Sequence, residues 1–444
     1  MDVIRMVTAA LQEQLGPDLD ALARACGVVR RQRKFTGQSL LRVLVLTLLQ
    51  KPDATTADFC ATAATLGLDV SDTALAKRWQ AGPPLLEFLR QALERALQQT
   101  VAAQPSSAAV LEHFTAVFVG DSSVLPLPDA LADLFPGCGG VAGTSRAALK
   151  LHVLWDLKTG RLEQLHVTPG RAPDAGSPIA VDQAAAGTLF VYDLGYFDVE
   201  RFAALARHDA QFISRLQHGT TVCDPAGQAL DLLAWLRRQP PGVVEQAILL
   251  GATAQLACRL LAVRVPEEVA NRRRQQARQK ARDHGREASA RYLDLLGWNL
   301  FVTNVPAAQL SWQAVVVLYR ARWQIELLFK LWKSHNGLGR GRAGASASER
   351  LALFYAKLLG VLLQHWLLVA TAWQVPQRSL LRAARRLREW LLLVLLTLDD
   401  STALVRVLQR LQQHLQRLAR VKVRRQKPSH AQLLNEPELL DWLP

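Results

Sequence analysis

The amino-acid sequence predicts an α/β protein in which a mixed sheet occupies the middle of the chain, between helical N-terminal and C-terminal regions. Apolar residues recur at helical spacing up to about residue 105 and again from about residue 311. Between these regions, short apolar runs bounded by turn residues are typical of strands. With 444 residues, half of them hydrophobic, the chain is long enough for two or three domains with substantial cores.

The N-terminal region, residues 1–105, predicts a set of helices. Their ranges are 2–14, 18–27, 38–50, 56–66, 72–80 and 84–102. Ser71 is a suitable N-cap for the short helix TALAKRWQ, which carries Lys77, Arg78 and Trp79. Short helices with basic tips fit a DNA-reading module. A plain helical bundle with a charged, solvated face fits this pattern equally well.

The next region, residues 106–216, predicts a mixed sheet. Strand patterns cover 114–121, 149–157, 161–168, 188–193 and 211–216, and helical patterns cover 177–186 and 198–208. The second and third strands are joined by a tight turn at 158–161, which predicts a hairpin. A hairpin followed by alternating helix and strand favours a mixed α/β sheet.

Residues 217–305 predict an insertion made of strands and one basic helix. Strand patterns recur at EQAILLG, CRLLAVRV and WNLFVTNV. Residues 272–286 hold six arginines and one lysine, beginning with Arg272, Arg273 and Arg274. So many like charges repel one another unless a polyanion is near, so we expect this helix to contact a DNA backbone. A solvated charged face is the alternative.

The remaining residues, 306–345 and 346–444, predict helices to about 420 and then a basic tail, VKVRRQKPS. The longest apolar stretch, 351–373, is interrupted by Lys357, Gln364 and His365, which favours a buried helix over a membrane span. The helical C-terminal region, 350–420, is also a candidate dimerisation or trans-contact surface.

The charge and cysteine content of the chain indicate which class of partner it binds and in which cellular compartment it works. Fifty-three Lys and Arg against 38 Asp and Glu give a net charge of +15, which favours a polyanionic partner such as nucleic acid. Charge alone does not separate DNA from RNA or anionic lipid. The five cysteines form no C-x2-C pair, so we expect neither a zinc site nor a disulfide framework. The N-terminus does not resemble a signal peptide, and a reducing cytoplasm is expected.

The segment YRARWQIELLFKLWK, residues 319–333, carries the most informative motif. Its polar positions follow the spacing Y-x2-R-x3-E-x6-K, and they are Tyr319, Arg322, Glu326 and Lys333. On one α-helix these positions lie within roughly a 60° arc, with apolar residues opposite. An isolated Arg and Glu four residues apart is a common surface pair. The full motif instead fits a site that binds metal and phosphate together.

Two further carboxylates follow strand patterns. Asp121 closes the apolar run before Ser122, and Asp193 closes LFVY before a Gly195-Tyr196 turn. Acids at strand ends are also ordinary turn residues. Phosphodiester chemistry at two divalent metals needs carboxylates that converge from separate elements, so these two with Glu326 are the predicted ligands. Asp156 in the hairpin and Asp198, a predicted helix cap, are set aside.

These residues resemble the DDE triad and the YREK signature of bacterial insertion-sequence transposases, specifically the insertion-sequence-4 family. The resemblance covers roughly residues 30–430. It implies an RNase H-like core interrupted by a β-rich insertion domain, with helical regions at both ends. It further implies cut-and-paste transposition, in which phosphodiester hydrolysis and strand transfer occur at the ends of the element.

The resemblance assigns roles residue by residue. Two Mg²⁺ or Mn²⁺ ions are expected on Asp121, Asp193 and Glu326. Phosphate contacts near the cleaved end are expected from Tyr319, Arg322 and Lys333. Arg215 resembles a DNA-contacting arginine of the family. Trp298 is a candidate for stacking a flipped base, while a half-buried core position is its alternative reading.

The expected partners are double-stranded DNA, as terminal inverted repeats and target, and a second copy in a synaptic homodimer. No membrane is expected, and the expected location is the bacterial cytoplasm at the nucleoid. The predicted domains are a DNA-binding domain (1–105), a core in two parts (106–216 and 306–345), an insertion domain (217–305) and a C-terminal region (346–444). Alternatives are an RNase H-like nuclease without strand transfer and a domesticated, non-catalytic DNA-binding protein.

Overall fold

A computed structural model describes residues 2–29, 34–139, 145–182, 184–240, 242–341, 345–375, 377–421 and 428–440. The chain divides into two compact units. The first, here the helical unit, comprises Met1–Ser106, Ser122–Ala172 and Ile325–Val423. The second, here the sheet unit, comprises Ser107–Asp121, Pro173–Gln324 and Arg424–Pro444. Most of the predicted basic tail, 422–427, lies outside the described residues.

The helical unit begins with the helices predicted from the sequence. They are α1 (Val3–Gln14), α2 (Asp18–Ala25), α3 (Gly37–Gln50), α4 (Thr56–Thr65), α5 (Asp72–Trp79) and α6 (Pro83–Gln98). Their starts follow capping rules: Thr36 and Thr55 form capping boxes, and Ser71 accepts a hydrogen bond from the Ala74 backbone N–H as predicted. The predicted helices are therefore confirmed, with ends shifted by up to four residues.

The predicted basic tip of α5 is only partly exposed. Trp79 is buried with its ring edge-on to Phe59, at 5.4 Å between centroids. Arg78 donates to the Val28 carbonyl at 2.8 Å. Lys77 alone of the three predicted basic-tip residues is exposed. Trp79 therefore occupies a core position against α4 and does not lie on the exposed tip of the helix.

The helical unit also contains the C-terminal helices. They are α14 (Ala347–Ala372), α15 (Leu380–Arg388), α16 (Leu391–Leu396) and α17 (Ser401–Leu418). Helix α14 packs on α3, α6 and α17. It is the one helix among the described residues that is long and apolar enough to cross a membrane, and 94% of its apolar window is buried inside the protein. The sequence prediction of a buried helix over 351–373 is confirmed.

A hairpin completes the helical unit. Strands β2 (Ala147–Asp156) and β3 (Leu162–Pro169) pair antiparallel, from Leu149 opposite Pro169 to Trp155 opposite Leu162. Gly160 in the turn has a φ of +76°, which a residue with a Cβ rarely adopts. Asp156 accepts hydrogen bonds from Lys158 and Thr159, so it is a turn residue as predicted.

The sheet unit is built on three parallel strands followed by an antiparallel extension. Strand β1 (Val117–Leu127) begins in this unit, and β4 (Leu189–Tyr192), β5 (Gln211–Arg215), β6 (Val222–Cys223), β7 (Val243–Leu250), β8 (Leu256–Arg264) and β9 (Trp298–Thr303) follow. The strand order is β1-β4-β5-β9-β8-β7-β6, with β1, β4 and β5 parallel and the rest antiparallel. Val, Ile and Phe fill β4 and β5, and both are largely buried.

Helices and short turns surround these strands. They are α7 (Ala109–Glu112), α8 (Val199–Arg207), α9 (Leu232–Arg237), α10 (Glu267–Asp283), α11 (Ala290–Leu295), α12 (Trp312–Ala321) and α18 (His430–Leu433). The predicted basic helix is α10, and the predicted cap Asp198 accepts from the Glu200 and Arg201 backbone N–H groups at the start of α8. The predicted division into five consecutive segments stays a prediction. Each compact unit combines segments that are distant in the chain, so the two units do not test those boundaries.

Two helix predictions were wrong. The described residues within 177–186 contain no helix. The segment 319–333 is not one α-helix either. Helix α12 ends at Ala321, α13 covers Trp323–Lys330, and a π-helical turn follows at Leu331–His335. The 60° stripe expected from one continuous helix therefore does not apply.

Candidate active site

Asp121 and Asp193 lie side by side on neighbouring parallel strands. The register pairs Val117 with Leu189 and ends at Gly120 opposite Tyr192, so each aspartate follows the last paired position of its strand. Adjacent strands are about 4.8 Å apart, which brings the two residues together. One detail of the prediction was wrong: β1 continues to Leu127, so Asp121 lies within a strand and not at its end. Only the pairing with β4 stops there.

The local turn orients Asp193. Its Oδ1 accepts hydrogen bonds from the backbone N–H groups of Gly195 at 2.9 Å and Tyr196 at 3.3 Å. A Cβ on Gly195 would lie 3.1 Å from Oδ2 of Asp174 and 3.3 Å from Oδ1 of Asp193. A side chain larger than glycine at this position would therefore crowd both carboxylates. Asp174 was missed by the sequence analysis, because it follows no strand pattern and only the fold brings it beside Asp193.

An ion pair joins the first aspartate to the YREK motif. Arg322 Nη1 donates to Asp121 Oδ2 at 3.1 Å, and the two side chains are 16% and 14% exposed. Arg322 is the C-cap of α12, so the end of that helix directs the guanidinium toward β1. A pair this well buried is strongly coupled: removing one partner leaves a charge in a poorly solvated place.

Tyr319 lies one helical turn before Arg322. Its ring packs edge-on to Phe301 of β9 at 5.1 Å between centroids, and the Arg322 guanidinium lies over it at 5.9 Å. Burial raises the pKa of the Tyr319 phenol, while the nearby guanidiniums of Arg322 and Arg215 oppose that rise and the carboxylate of Asp193 adds to it. Tyr319 therefore stays a neutral hydrogen-bonding group in a mixed-charge surrounding.

Arg215 and Arg273 form a pair of like charges near this site. Burial lowers the pKa of Arg273, and the charge of Arg215 lowers it further. The Arg215 Nε and Arg273 Nη1 atoms are buried without a hydrogen-bond partner among the described residues. Two half-buried guanidiniums with unused donors favour an anion as a third component. Of the predicted DNA-contacting residues, these two therefore lie where an anion is most strongly favoured.

The other predicted DNA contacts have structural partners. Arg274 donates to Glu267 at 2.6 Å and to the Leu293 carbonyl at 3.2 Å, which ties α10 to α11. Arg272 is exposed and faces Glu268 at 3.4 Å. Trp298 opens β9 as predicted, is only 8% exposed, and has the Arg264 guanidinium 5.6 Å from its ring centroid. Its role in base stacking stays a prediction.

Glu326 and Lys333 belong to the helical unit. Glu326 lies on α13 and is partly exposed, while Ile325 and Leu328 beside it are buried. Lys333, in the π-helical turn, donates to Ser123 Oγ at 3.1 Å and to the Val124 carbonyl at 2.9 Å. Burial lowers the pKa of Lys333. The motif is thus divided between the units, with Tyr319 and Arg322 in the sheet unit.

The donor chemistry of the site fits a hard divalent cation. Carboxylate oxygens are the preferred ligands of such ions, and Asp121 and Asp193 supply them from adjacent strands. Within the described ranges, no group of three or more His, Cys, Asp or Glu side chains is already clustered as a metal site. The candidate metal ligands are therefore Asp121 and Asp193, and Asp121 is also paired with Arg322.

The known proteins that this chain resembles are transposases. The family described as "Transposase DDE domain" matches residues 112–361, more than half of the chain. The chain is 28% identical to the transposase for insertion sequence element IS231F of Bacillus thuringiensis subsp. israelensis, covering 86% of this chain and 82% of that protein. It is 25% identical to the IS231E transposase of Bacillus thuringiensis subsp. finitimus, covering 95% and 90%. The IS1151 transposase of Clostridium perfringens is 24% identical, covering 56% of each chain.

Proposed function

Because the chain belongs to the family of proteins with a transposase DDE domain, we propose that it is an insertion-sequence transposase that moves its element by cut-and-paste transposition. In this proposal the enzyme hydrolyses phosphodiester bonds at the two ends of the element and joins the freed 3′ ends to a target. The matched range contains both aspartates, Glu326 and the flanking Tyr, Arg and Lys of the motif.

The observation that carries this proposal is the pair Asp121 and Asp193 at equivalent positions of two adjacent parallel strands. Equivalent positions on adjacent parallel strands place the two backbones about 4.8 Å apart, which lets both carboxylates serve phosphodiester chemistry with divalent ions. Arg322 beside Asp121 adds a cation suited to bidentate contact with a phosphate.

The strand arrangement supports an RNase H-like core. In the sheet unit β1, β4 and β5 are parallel, and the antiparallel hairpin β2–β3 follows β1 in the chain. The segment between β5 and α12 consists of strands β6 to β9 with α9, α10 and α11. This agrees with an insertion placed between the second aspartate and Glu326, as the insertion-sequence-4 family resemblance implies.

Each motif residue then has a proposed role. Asp121, Asp193 and Glu326 would hold two Mg²⁺ or Mn²⁺ ions, which when bound supply an activated nucleophile and stabilise the leaving oxygen. Arg322 would exchange its contact with Asp121 for a phosphate oxygen, and the neutral phenol of Tyr319 would donate a hydrogen bond to a second phosphate oxygen. Lys333 contributes a point charge. Arg215, Arg272, Arg273 and Arg274 are proposed to contact the DNA backbone, and Trp298 to stack a displaced base.

The proposed partners follow from the same reading. They are double-stranded DNA carrying the terminal inverted repeats, target DNA, and a second copy of this chain that holds the paired ends. The net charge of +15 supports a polyanionic partner. The proposed location is the bacterial cytoplasm, at the nucleoid.

A single reaction separates the candidate functions. The purified protein is mixed with Mg²⁺, a supercoiled target plasmid and a linear fragment that carries its own coding region with several hundred flanking base pairs. A transposase produces end cleavage and plasmid-joined products. Cleaved ends without joined products indicate a nuclease, and binding without cleavage indicates a non-catalytic DNA-binding protein; either result overturns the proposal.

The third carboxylate is tested in the same reaction. Glu326→Gln is expected to bind the fragment like the wild type and to cleave it at least about 10³-fold more slowly. Glu13→Gln, on the exposed side of α1, is the matched control and should cleave normally. Normal cleavage by Glu326→Gln would remove this residue from the triad.

A further inference from the structure

Helices α15 and α17 of the helical unit present a face made of arginine. The described residues 377–421 contain nine arginines, no lysine and three acids. Seven of the arginines are exposed, and we call them the C-terminal arginine face: Arg382, Arg385, Arg386, Arg406, Arg410, Arg417 and Arg420. No function described above uses these residues.

The arginines of α17 follow helical spacing. Arg406, Arg410 and Arg417 lie within roughly a 40° arc at about 100° per residue, and they span about 16 Å at 1.5 Å per residue. Exposed glutamines at 409, 413 and 416 lie next to them. The opposite side of α17, which includes Leu404, Leu408 and Leu411, is fully buried. One side of α17 therefore packs in the core, and the opposite side exposes arginine and glutamine side chains.

Helix α15 extends the same surface. Arg382, Arg385 and Arg386 recur at i, i+3 and i+4 and are exposed, while Ala383, Ala384 and Leu387 are buried. Arg382 Nη1 donates to the Arg420 carbonyl at 2.8 Å, just past the end of α17. The two rows of arginine are thus joined at that end.

Most of this charge is not neutralised within the protein. Arg386 pairs with Glu389 at 2.9 Å. Among the described residues, no carboxylate lies within ion-pair distance of Arg385, Arg406, Arg410 or Arg417. Asp399 and Asp400 are used elsewhere, by Arg42 and by the cap of α17. By contrast, Arg378 and Arg388 point inward, to Trp373 and to the His335 carbonyl. Four of the seven exposed arginines, Arg385, Arg406, Arg410 and Arg417, therefore have no carboxylate partner within the described part of the chain.

The chemistry of the face selects its partner. A lipid surface binds an amphipathic helix through its apolar side, and in α15 and α17 that side is already buried. A second copy of the same face would bring like charges together. Guanidinium groups donate in a planar fork that matches phosphate, and adjacent glutamines add neutral donors. A row of phosphates is the surface complementary to this one.

We propose that the C-terminal arginine face binds the backbone of double-stranded DNA without reading its sequence. This rests on the proposed transposase function and deepens it, since the enzyme must hold duplex outside the element ends, either flanking or target. The contact is electrostatic, so it contributes to the salt dependence of DNA binding and not to end recognition.

The test measures binding alone, so it does not depend on cleavage. Fluorescence anisotropy of a 30-base-pair duplex of random sequence is recorded with the metal-free full chain at several NaCl concentrations. The triple variant Arg406→Gln, Arg410→Gln, Arg417→Gln is expected to lower the slope of log K against log salt by about 2 to 3 and to weaken binding at least tenfold at 100 mM NaCl.

Two matched variants separate charge from structure. Changing Gln409, Gln413 and Gln416 to alanine alters the same helix at equal exposure and should leave the slope unchanged. Changing the three arginines to lysine should keep the slope within about 1 of the wild type. An unchanged slope in the glutamine-substituted arginine variant, with its melting temperature intact, overturns the proposal. A loss of oligomer mass without a change in slope also overturns it, since the face would then be an interface between copies.

The Asp193→Asn variant separates this proposal from the proposed transposase activity. It is expected to lose cleavage but to bind the random duplex like the wild type. A protein that never cleaves but shows the expected change in slope refutes the transposase activity while keeping this DNA surface.

Discussion

A buried lysine of the helical unit and a pair of half-buried arginines of the sheet unit differ in how their charges are satisfied. In the helical unit, Lys357 of α14 donates to the Gly337 and Arg340 carbonyls, both at 2.9 Å. In the sheet unit, Arg215 and Arg273 lie near each other, and each keeps a buried guanidinium nitrogen without a partner among the described residues. A buried charge bound to backbone carbonyls serves the fold. Neighbouring like charges with spare donors reduce stability, and an anionic ligand would offset that cost.

The same contrast holds for carboxylates and small residues. A Cβ on Gly195 of the sheet unit would crowd two carboxylates at 3.1 and 3.3 Å, whereas a Cβ on Gly160 of the helical unit would clash with the indole of Trp373 at 2.6 Å. The space left by Gly195 is filled by charged side chains, whereas the space left by Gly160 is filled by a packed aromatic ring. The comparison therefore predicts that changes at Asp193 and Arg273 of the sheet unit alter DNA chemistry, and that changes at Gly160 and His365 of the helical unit alter stability.

The largest expected effect is in the sheet unit, for Asp193→Asn. Asparagine keeps the acceptor that binds the Gly195 and Tyr196 N–H groups but removes the negative charge. We expect end cleavage to fall at least about 10³-fold, ~4 kcal/mol in activation free energy, with the melting temperature unchanged. Asp198→Asn is the control, because asparagine is also a good N-cap for α8. Equal loss in both variants would break the comparison.

The next effect is in the helical unit, for Gly160→Ala. A Cβ there would lie 2.6 Å from the Trp373 ring, in addition to the strain of a φ of +76°. Gly67→Ala is matched in φ, at +74°, but its Cβ would meet nothing within 4 Å. We expect Gly67→Ala to cost about 1 kcal/mol and Gly160→Ala at least about 3 kcal/mol in urea unfolding. Similar costs would show that the hairpin moves away from Trp373.

A pH effect of comparable size is expected from His365 of α14. Its Nε2 donates to the Gly160 carbonyl at 2.6 Å, and burial lowers its pKa from 6.5 to about 4. The unfolded state therefore binds the proton first, so stability is complete above about pH 6.5 and falls as the pH drops toward 4. The expected loss from this group is about 3 kcal/mol. His365→Gln should remove this part of the pH dependence, measured by urea unfolding at pH 4.5 and 7.

The smallest effect compares two adjacent arginines of α10. Arg273→Gln should remove repulsion with Arg215, so the free energy of unfolding should stay constant or rise by up to about 0.5 kcal/mol, while affinity for duplex DNA falls about three- to tenfold. Arg274→Gln should lower stability by about 1 kcal/mol, because it breaks contacts to Glu267 and the Leu293 carbonyl. The reverse pattern would assign the ligand-binding role to Arg274.

Much of the local structure could be predicted from the residues. Hydrophobic spacing located the helices of the N-terminal region, strands β1 to β5 and β7 to β9, and the buried α14, because these signals are local and repeat over many residues. The predictions failed where one or two residues change the backbone course. The break after Ala321 and the π-helical turn at Leu331–His335 leave no clear sign in spacing.

For the candidate site, the sequence predicted the residue types but not which side chains contact one another. Residue types and intervals identified Asp121, Asp193, Tyr319 and Arg322 as candidates, but not that Arg322 pairs with Asp121 across 201 positions of sequence. Asp174 was missed for the same reason: its neighbour Asp193 is close in space and distant in pattern. A contact between elements depends on how they pack, which no local interval encodes.

The sequence by itself determined which residues carry charge, which segments are helix or strand, and that carboxylates and cations occur at the spacing of a DDE transposase. Tertiary structure decided which of those charges are used for folding and which are left for a ligand. Arg273 and Arg274 are chemically identical neighbours on α10, and only packing against Arg215 or Glu267 distinguishes them. The physical reason is that desolvation and pairing, which set the energy of a buried charge, depend on neighbours in space.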